Sequence, residues 1–540
     1  MKVPAQTIGQ QTTVSDRGKK LAWAAVIVAV ATGGSRVIGL AREILTAGYF
    51  GVHGPMSAYV AASIVPNLIR SLLAEAAISA AFVPVFTELL AKDQRERAYR
   101  LASSLLTAAW LVIGGLVAVF MLITPFLLRM FGSHLVDSPT LYGLATNTAR
   151  ILFPTVIVLA SAGVIIGILY SYERFVVPAL VPIFWNLGII SFLVAFADRI
   201  HIYALAWGVF AGTIIELVLL LIPLRGLGFR YRPVLDWRDP YFRKVILLMV
   251  PITVTLGILN FNALIDQVFA WRLNDRAAAQ IGYAFRLFQL PQGMFAISIG
   301  TVLFPSLSRF AAKLEMDRFR ETLSVGTRQI FFVTLPFATW FLVMPDAIVR
   351  LIYQRGQFDA AATQAVGFAL AFFAIGMAFA NGNIMLNRGF QSLQKPWLPL
   401  YVSFINLGLN AVLDYILMKP LGVGGITFST SLVSAFNFFG LLYLMRRQVG
   451  EVDGRRIVTS VVRMLACAVL LGLASFAAWT ALRGFADASL LARLAAVVAA
   501  TGSGAVVYVV AAKLLKLEEL TQAWRLLRRR RLIIEPETRA

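Results

Sequence analysis

Four arginines stand inside long apolar stretches of this 540-residue chain. Arg36 and Arg42 lie in "ATGGSRVIGLAREILTAGYFG", Arg70 in "VPNLIRSLLAEAA" and Arg286 in "YAFRLFQLPQG". A guanidinium at the centre of a lipid-embedded helix costs roughly 2.5–3.5 kcal/mol on insertion scales, so each needs a counter-charge, a water-filled cavity or an anionic ligand. Two acids, Glu43 and Glu75, are close by in sequence. One reading pairs Arg42 or Arg70 with them as glue between helices. The other leaves surplus positive charge lining a cavity, where permanently charged bidentate donors suit a phosphate or diphosphate. Gly33 and Gly34 weaken the helix just before Arg36, and Pro66 and Pro291 kink the helices carrying Arg70 and Arg286. Helices interrupted in corresponding halves point to a central site.

A second constellation lies in the C-terminal half. Asn410 and Asp414 are four apart and share a helix face, Asp266 lies on an earlier apolar segment, and Thr430 on the one after Asp414. These are hard oxygen ligands at bilayer depth, suited to Na+ or to a proton on one carboxylate. An interhelical hydrogen-bond network with one acid neutral is the alternative. No Walker, zincin or nucleophile-elbow motif is present, and no metal is assigned. "DWRD" at 236–239 has the two-carboxylate spacing of a diphosphate–Mg2+ site but stands alone in a basic loop, and is read as solvated.

The elements that must hold these residues are membrane spans. Hydrophobic residues make up 59% of the chain, charged residues 14%, and the mean hydropathy is +0.77. Runs long enough for a ~30 Å hydrocarbon core number about fourteen between residues 21 and 512, including 57–90 and 322–345. Of the 49 Lys and Arg, about two thirds fall on the side of the termini, the positive-inside pattern. That places both termini in the cytoplasm and turns the net charge of +22 away from nucleic acid and toward anionic lipid. The single cysteine, Cys467, excludes a disulfide framework. His53, His134 and His201 read as solvated bystanders.

The chain also repeats itself at an offset of about 220 residues. "VPIFWNLGIISF" recurs as "VSFINLGLNAVL", and Pro84 and Lys92 align with Pro305 and Lys313. An even number of spans separates the copies, so they insert in parallel. The expected class is an all-α integral membrane protein of about fourteen helices: two six-helix lobes related by a parallel pseudo-repeat, plus a C-terminal pair. The divisions are a tail at 1–20, an N-lobe at 21–240, a C-lobe at 241–450, a helix pair at 451–515 and a basic tail at 516–540. "TGSGAVV" at 501–507 supplies small residues for close helix approach.

Five segments in order, "SRVIGLAREILTAGYFG", "VPNLIRSLLAEAAISAAFVPVFTELL", "YAFRLFQLPQGMFAISIGTVLFPSLSR", "LIYQRGQFDAAAT" and "GGITFSTSLVSAFNFFGLLYLMRRQVG", resemble the MurJ (MviN) family of lipid II flippases in the MOP exporter superfamily. The resemblance implies alternating-access export of lipid II, the undecaprenyl-diphosphate-linked peptidoglycan precursor, across the bacterial inner membrane, with no covalent chemistry and no cofactor. It implies substrate contacts by Arg36, Arg42, Arg70 and Arg286, supporting acids Glu43 and Glu75, and a last helix pair that carries the lipid tail. Membrane potential, with Na+ or H+, is the expected drive, membrane lipids are further partners, and the working unit is expected to be a monomer. Three positions depart from the family pattern: Ser57 and Lys395 where acids are usual, and Phe285 where Asp or Asn is usual. Flippases for other polyprenyl-diphosphate oligosaccharides, a non-transporting scaffold for the precursor, and a membrane enzyme acting through "DWRD" are the competing readings.

Overall fold

The computed structural model describes residues 8–73, 75–131 and 137–522, and the description that follows is of these. Among them there is no strand. The helices are α1 (Ile8–Phe50), α2 (Gly54–Leu73), α3 (Glu75–Ala91), α4 (Arg95–Phe131), α5 (Pro139–Ser171), α6 (Val176–Ile200), α7 (Tyr203–Leu224) and α8 (Pro240–Leu273). They continue as α9 (Ala277–Pro291), α10 (Ile297–Ala312), α11 (Met316–Val343), α12 (Pro345–Tyr353) and α13 (Ala360–Ser392). The last four are α14 (Trp397–Leu421), α15 (Val423–Val449), α16 (Gly454–Ala486) and α17 (Leu490–Leu514). Ten spans among the described residues are long and apolar enough to cross a membrane, α9 and α10 together forming one of them. The count is eleven if α11 and α12, bent by 88° around Met344, are taken as one span. The fourteen expected spans are thus carried to that coarser figure. Large apolar side chains such as Leu122, Leu247, Val302 and Leu491 are more than 70% exposed, as a lipid-facing surface requires.

The chain divides into two compact units, 1–260 and 261–540. In the first, α5 is the buried centre and packs on α2, α3, α4 and α7. In the second, α13 is the corresponding centre and packs on α9, α10, α11 and α15. Helices α5 and α13 are both 33 residues long and begin 221 residues apart. Both begin at a side-chain cap: Ser138 accepts from the Leu141 N–H, and Asp359 from the Ala362 N–H at 2.7 Å. The helix ends repeat as well. Asp93 and Leu314 have φ 57° and 58°, and Glu173 and Gln394 have 58° and 57°, each pair spaced by 221 residues. Each is the left-handed residue of a C-terminal cap. The next N–H in turn (Gln94, Glu315, Arg174, Lys395) returns to a carbonyl five residues back at 2.8–3.0 Å. Left-handed geometry costs a non-glycine residue free energy, so its recurrence at one offset marks matched termini better than apolar sequence does.

After Pro291, which has no N–H to donate, residues 292–296 form a single π-helical turn between α9 and α10. At the other end of the second unit, a Cβ on Gly504 would lie 2.0 Å from Ser475 Oγ and 2.9 Å from the Leu471 carbonyl. The small residues of "TGSGAVV" therefore let α16 and α17 approach closely, as expected.

Candidate functional site

In the first unit, α1 carries Arg42 and Glu43 side by side, and the two form an ion pair, with Nε to Oε1 at 3.2 Å. The Glu43 carboxylate is buried and the Arg42 side chain is 15% exposed. Arg42 also lies over the ring of Trp185 on α6, 5.0 Å from its centroid. Trp185 is held in turn: its indole N–H donates to Thr213 on α7 at 3.2 Å, and Thr213 bonds back to the Val209 carbonyl. Close backbone approach makes this possible, because a Cβ on Gly212 would lie 2.7 Å from the Trp185 carbonyl oxygen. The pairing of Arg42 is therefore with its own neighbour rather than across helices. A cation fixed in this way, stacked and paired but still reachable, is preorganised to receive an anion.

Arg36, further up α1, and Arg70, near the end of α2, are exposed, and among the described residues neither pairs with a carboxylate. Arg286 on α9 is exposed and makes an interaction with a neighbour. The side chain of Glu75 lies outside those described. Phe285 stacks on Phe288 with ring centroids 5.9 Å apart and packs on Phe373. It fills an apolar niche rather than presenting a polar group. Ser57 is fully buried, and the Lys395 ammonium donates to Gln448.

The second unit brings Asp266, Asn410, Asp414 and Thr430 together from α8, α14 and α15. The Asn410 amide donates to Asp266 Oδ1 at 2.6 Å and to Asp414 Oδ2 at 3.2 Å, and Thr430 donates to Asp266 Oδ2 at 3.2 Å. Asn410 and Asp414 are buried, and Asp414 Oδ1 has no hydrogen-bond partner. A buried carboxylate oxygen left over beside a second carboxylate is the donor set a small hard cation or a proton would satisfy.

Three features could not be given partners or roles along the chain. Glu216 on α7 is a buried acid within an apolar helix. Trp185 precedes the repeated Asn-Leu-Gly but has no charge to draw notice. Arg328 on α11 is 1% exposed and forms an ion pair with equally buried Glu519, beyond the end of α17. Its place inside the apolar run 322–345 marked it, but only the fold supplied its partner. One expectation is corrected: the "DWRD" acids are not simply solvated, since Asp236 pairs with Arg100 at 3.3 Å and Asp239 with Arg97 at 3.2 Å. The loop is long enough to fold back on α4, which carries the matching arginines. The basic run "RRRR" and His134 lie outside the described residues.

Comparison with known proteins bears on this arrangement. A family model described as "Lipid II flippase MurJ" matches residues 46–496. The chain is 30% identical over 433 residues to a probable lipid II flippase MurJ of Rhizobium tropici, covering 78% of this chain and 80% of that one. It is 29% identical over 426 residues to a lipid II flippase MurJ of Burkholderia cenocepacia, covering 77% and 82%. Among solved structures, a lipid II flippase MurJ in an inward closed conformation superposes with a TM-score of 0.76 at 22% identity, over 91% of this chain and 98% of that one. An inward-facing MATE family transporter of the MOP superfamily superposes with a TM-score of 0.67 at 12% identity, over 80% and 99%.

Proposed function

The chain belongs to the MurJ lipid II flippase family, and from that premise we propose how its residues move the precursor. The protein is a multi-pass membrane transporter that translocates lipid II. The match of the family model over residues 46–496 carries this conclusion. We place it in the bacterial inner membrane, crossing fourteen times, with both termini cytoplasmic and the monomer as the working unit. Its two lobes are the parallel repeats, which the recurrence of helix bounds and caps supports.

No bond of the substrate is made or broken. The diphosphate of lipid II is taken up by Arg36, Arg42, Arg70 and Arg286. Arg42 is the oriented member, because Glu43 and Trp185 leave its guanidinium little freedom. An oriented donor loses less entropy on binding than a free one. The polyprenyl tail stays in lipid beside α16 and α17. Asp266, Asp414, Asn410 and Thr430 are the residues that would hold a coupling cation, Na+ or H+. The unsatisfied Asp414 Oδ1 supports that assignment. Such an ion supplies charge compensation between two buried carboxylates, and the membrane potential supplies about 2.3 kcal/mol per charge per 100 mV to reset a cationic site.

The test uses cells in which this protein is the sole flippase and can be depleted. The quantity measured is the fraction of lipid-linked precursor open to a cleaving enzyme added outside. Depletion should collapse that fraction while total precursor rises, and Arg70→Ala or Arg286→Ala should fail to restore it. An unchanged accessible fraction on depletion would overturn the reading.

A further inference from the structure

The loop between α7 and α8 is built around contacts that lie outside the residues assigned to transport. Its two acids, Asp236 and Asp239, are occupied by Arg100 and Arg97 of α4. The Arg232 N–H donates to Ser103 Oγ at 3.3 Å, and the Tyr99 hydroxyl donates to the Leu227 carbonyl at 2.6 Å. These bonds hold the loop across the first turns of α4 and border a half-open cavity of about 1180 Å3. Arg230, Arg232 and Arg238 also line it, and among the described residues none of the three pairs with a carboxylate. Glu96 is the one lining acid left to answer three guanidinium groups. The first turns of α4 line the cavity, and the N-terminal end of that helix adds positive potential beside it.

From this geometry we infer that the cavity is a phosphate-binding site on the basic face of the first unit, separate from the transport arginines. The paired carboxylates serve as struts that fix Arg97 and Arg100, while Arg230, Arg232 and Arg238 supply planar, bidentate donors to phosphate oxygens. Two sources offer that chemistry. Tyr231 and Trp237 on the same loop are half exposed, the habit of side chains seated at a membrane–water interface, so an anionic lipid headgroup is one. A free diphosphate in the cytosol is the other.

The experiment uses the full chain carrying Arg36→Ala, Arg42→Ala, Arg70→Ala and Arg286→Ala, so that the transport arginines are removed, in phosphatidylcholine nanodiscs titrated with inorganic pyrophosphate by calorimetry. Adding Arg230→Ala, Arg232→Ala and Arg238→Ala should weaken binding about tenfold for each guanidinium removed. Arg446→Ala with Arg447→Ala, removing exposed charge at the end of α15, should leave it unchanged. If phosphatidylglycerol in the nanodisc competes with pyrophosphate, and the triple variant abolishes that competition, the lipid headgroup is the ligand. If pyrophosphate binds and phosphatidylglycerol does not compete, the ligand is soluble. Absence of pyrophosphate binding together with absence of any phosphatidylglycerol effect on the thermal midpoint overturns the proposal. So does equal weakening by the α15 variant, which would mean diffuse surface charge.

Discussion

Glu519→Gln probes the ion pair that clasps the segment following α17 to α11. Arg328 and Glu519 are each 1% exposed and in contact, and Glu518 lies 3.4 Å from the same guanidinium but is 51% exposed. Gln329 adds a hydrogen bond to Gln522 at 3.1 Å, and the Tyr508 hydroxyl reaches the Phe332 carbonyl at 2.9 Å. The substitution keeps the shape of Glu519 and leaves the guanidinium buried with Glu518 as its nearest counter-charge. Removing one partner of a buried pair costs about 3–5 kcal/mol. Because Glu518 recovers part of the loss, the expected cost is near the lower bound, about 3 kcal/mol. Arg328 Nε and Glu519 Oε2 have no partner even in the native arrangement, so the pair is incompletely satisfied. Replacing both ends, Arg328→Met with Glu519→Leu, should therefore return stability to the wild-type level or above it. The assay is the thermal midpoint of detergent-solubilised protein at one fixed heating rate, since unfolding of such a chain is read as kinetic stability. Each single variant should melt well below wild type and the double variant beside it. A double variant as labile as the singles would refute the reasoning, because lost packing rather than stranded charge would then be the cause.

Three further outcomes follow from the same structure. Trp185→Leu removes the ring beneath Arg42, an interaction of about 1–2 kcal/mol when shielded from water. Lipid II binding should fall roughly tenfold, with Trp185→Phe intermediate, and equal binding by all three proteins would exclude a positioning role. Na+ should raise the thermal midpoint of the wild type, reaching about 2.7 kcal/mol of stabilisation at a hundredfold excess over Kd. Asp414→Asn should abolish that rise; a wild-type midpoint indifferent to both Na+ and pH would sink the cation assignment. The Glu518 carboxyl is held below its ordinary range by hydrogen bonding from Arg456 and, further down, by Arg328. Its contribution is complete above the unfolded value of about 4.5 and drains away as pH falls through the lower folded value. Between pH 5 and pH 3 the wild type should thus lose more stability than Glu518→Gln. The group is half exposed, so the difference should stay below about 1 kcal/mol, and parallel pH profiles would count against the clasp.

Much of the architecture was readable in the chain itself, because lipid imposes a simple rule. Every backbone group in hydrocarbon must be paired within its own segment, so an apolar run of sufficient length reports a helix with little help from its neighbours. Several charged residues inside those runs were legible for the same reason. Arg36, Arg42, Arg70 and Arg286, and the cluster of Asp266, Asn410, Asp414 and Thr430, stand out because lipid makes them costly. The repeat was visible too, although its firmest marks, the left-handed caps at Asp93 and Leu314 and at Glu173 and Gln394, lie in residue types that do not announce that conformation.

Tertiary structure alone decided the partners. Nothing in the sequence joins Arg42 to Trp185 across 143 positions, or Arg328 to Glu519 across 191. The acids of "DWRD" looked solvated until the loop folded back on α4. Burial cost is a property of one residue and its local segment, and so can be read along the chain. Which group offsets that cost depends on how distant helices pack, and local sequence does not encode it.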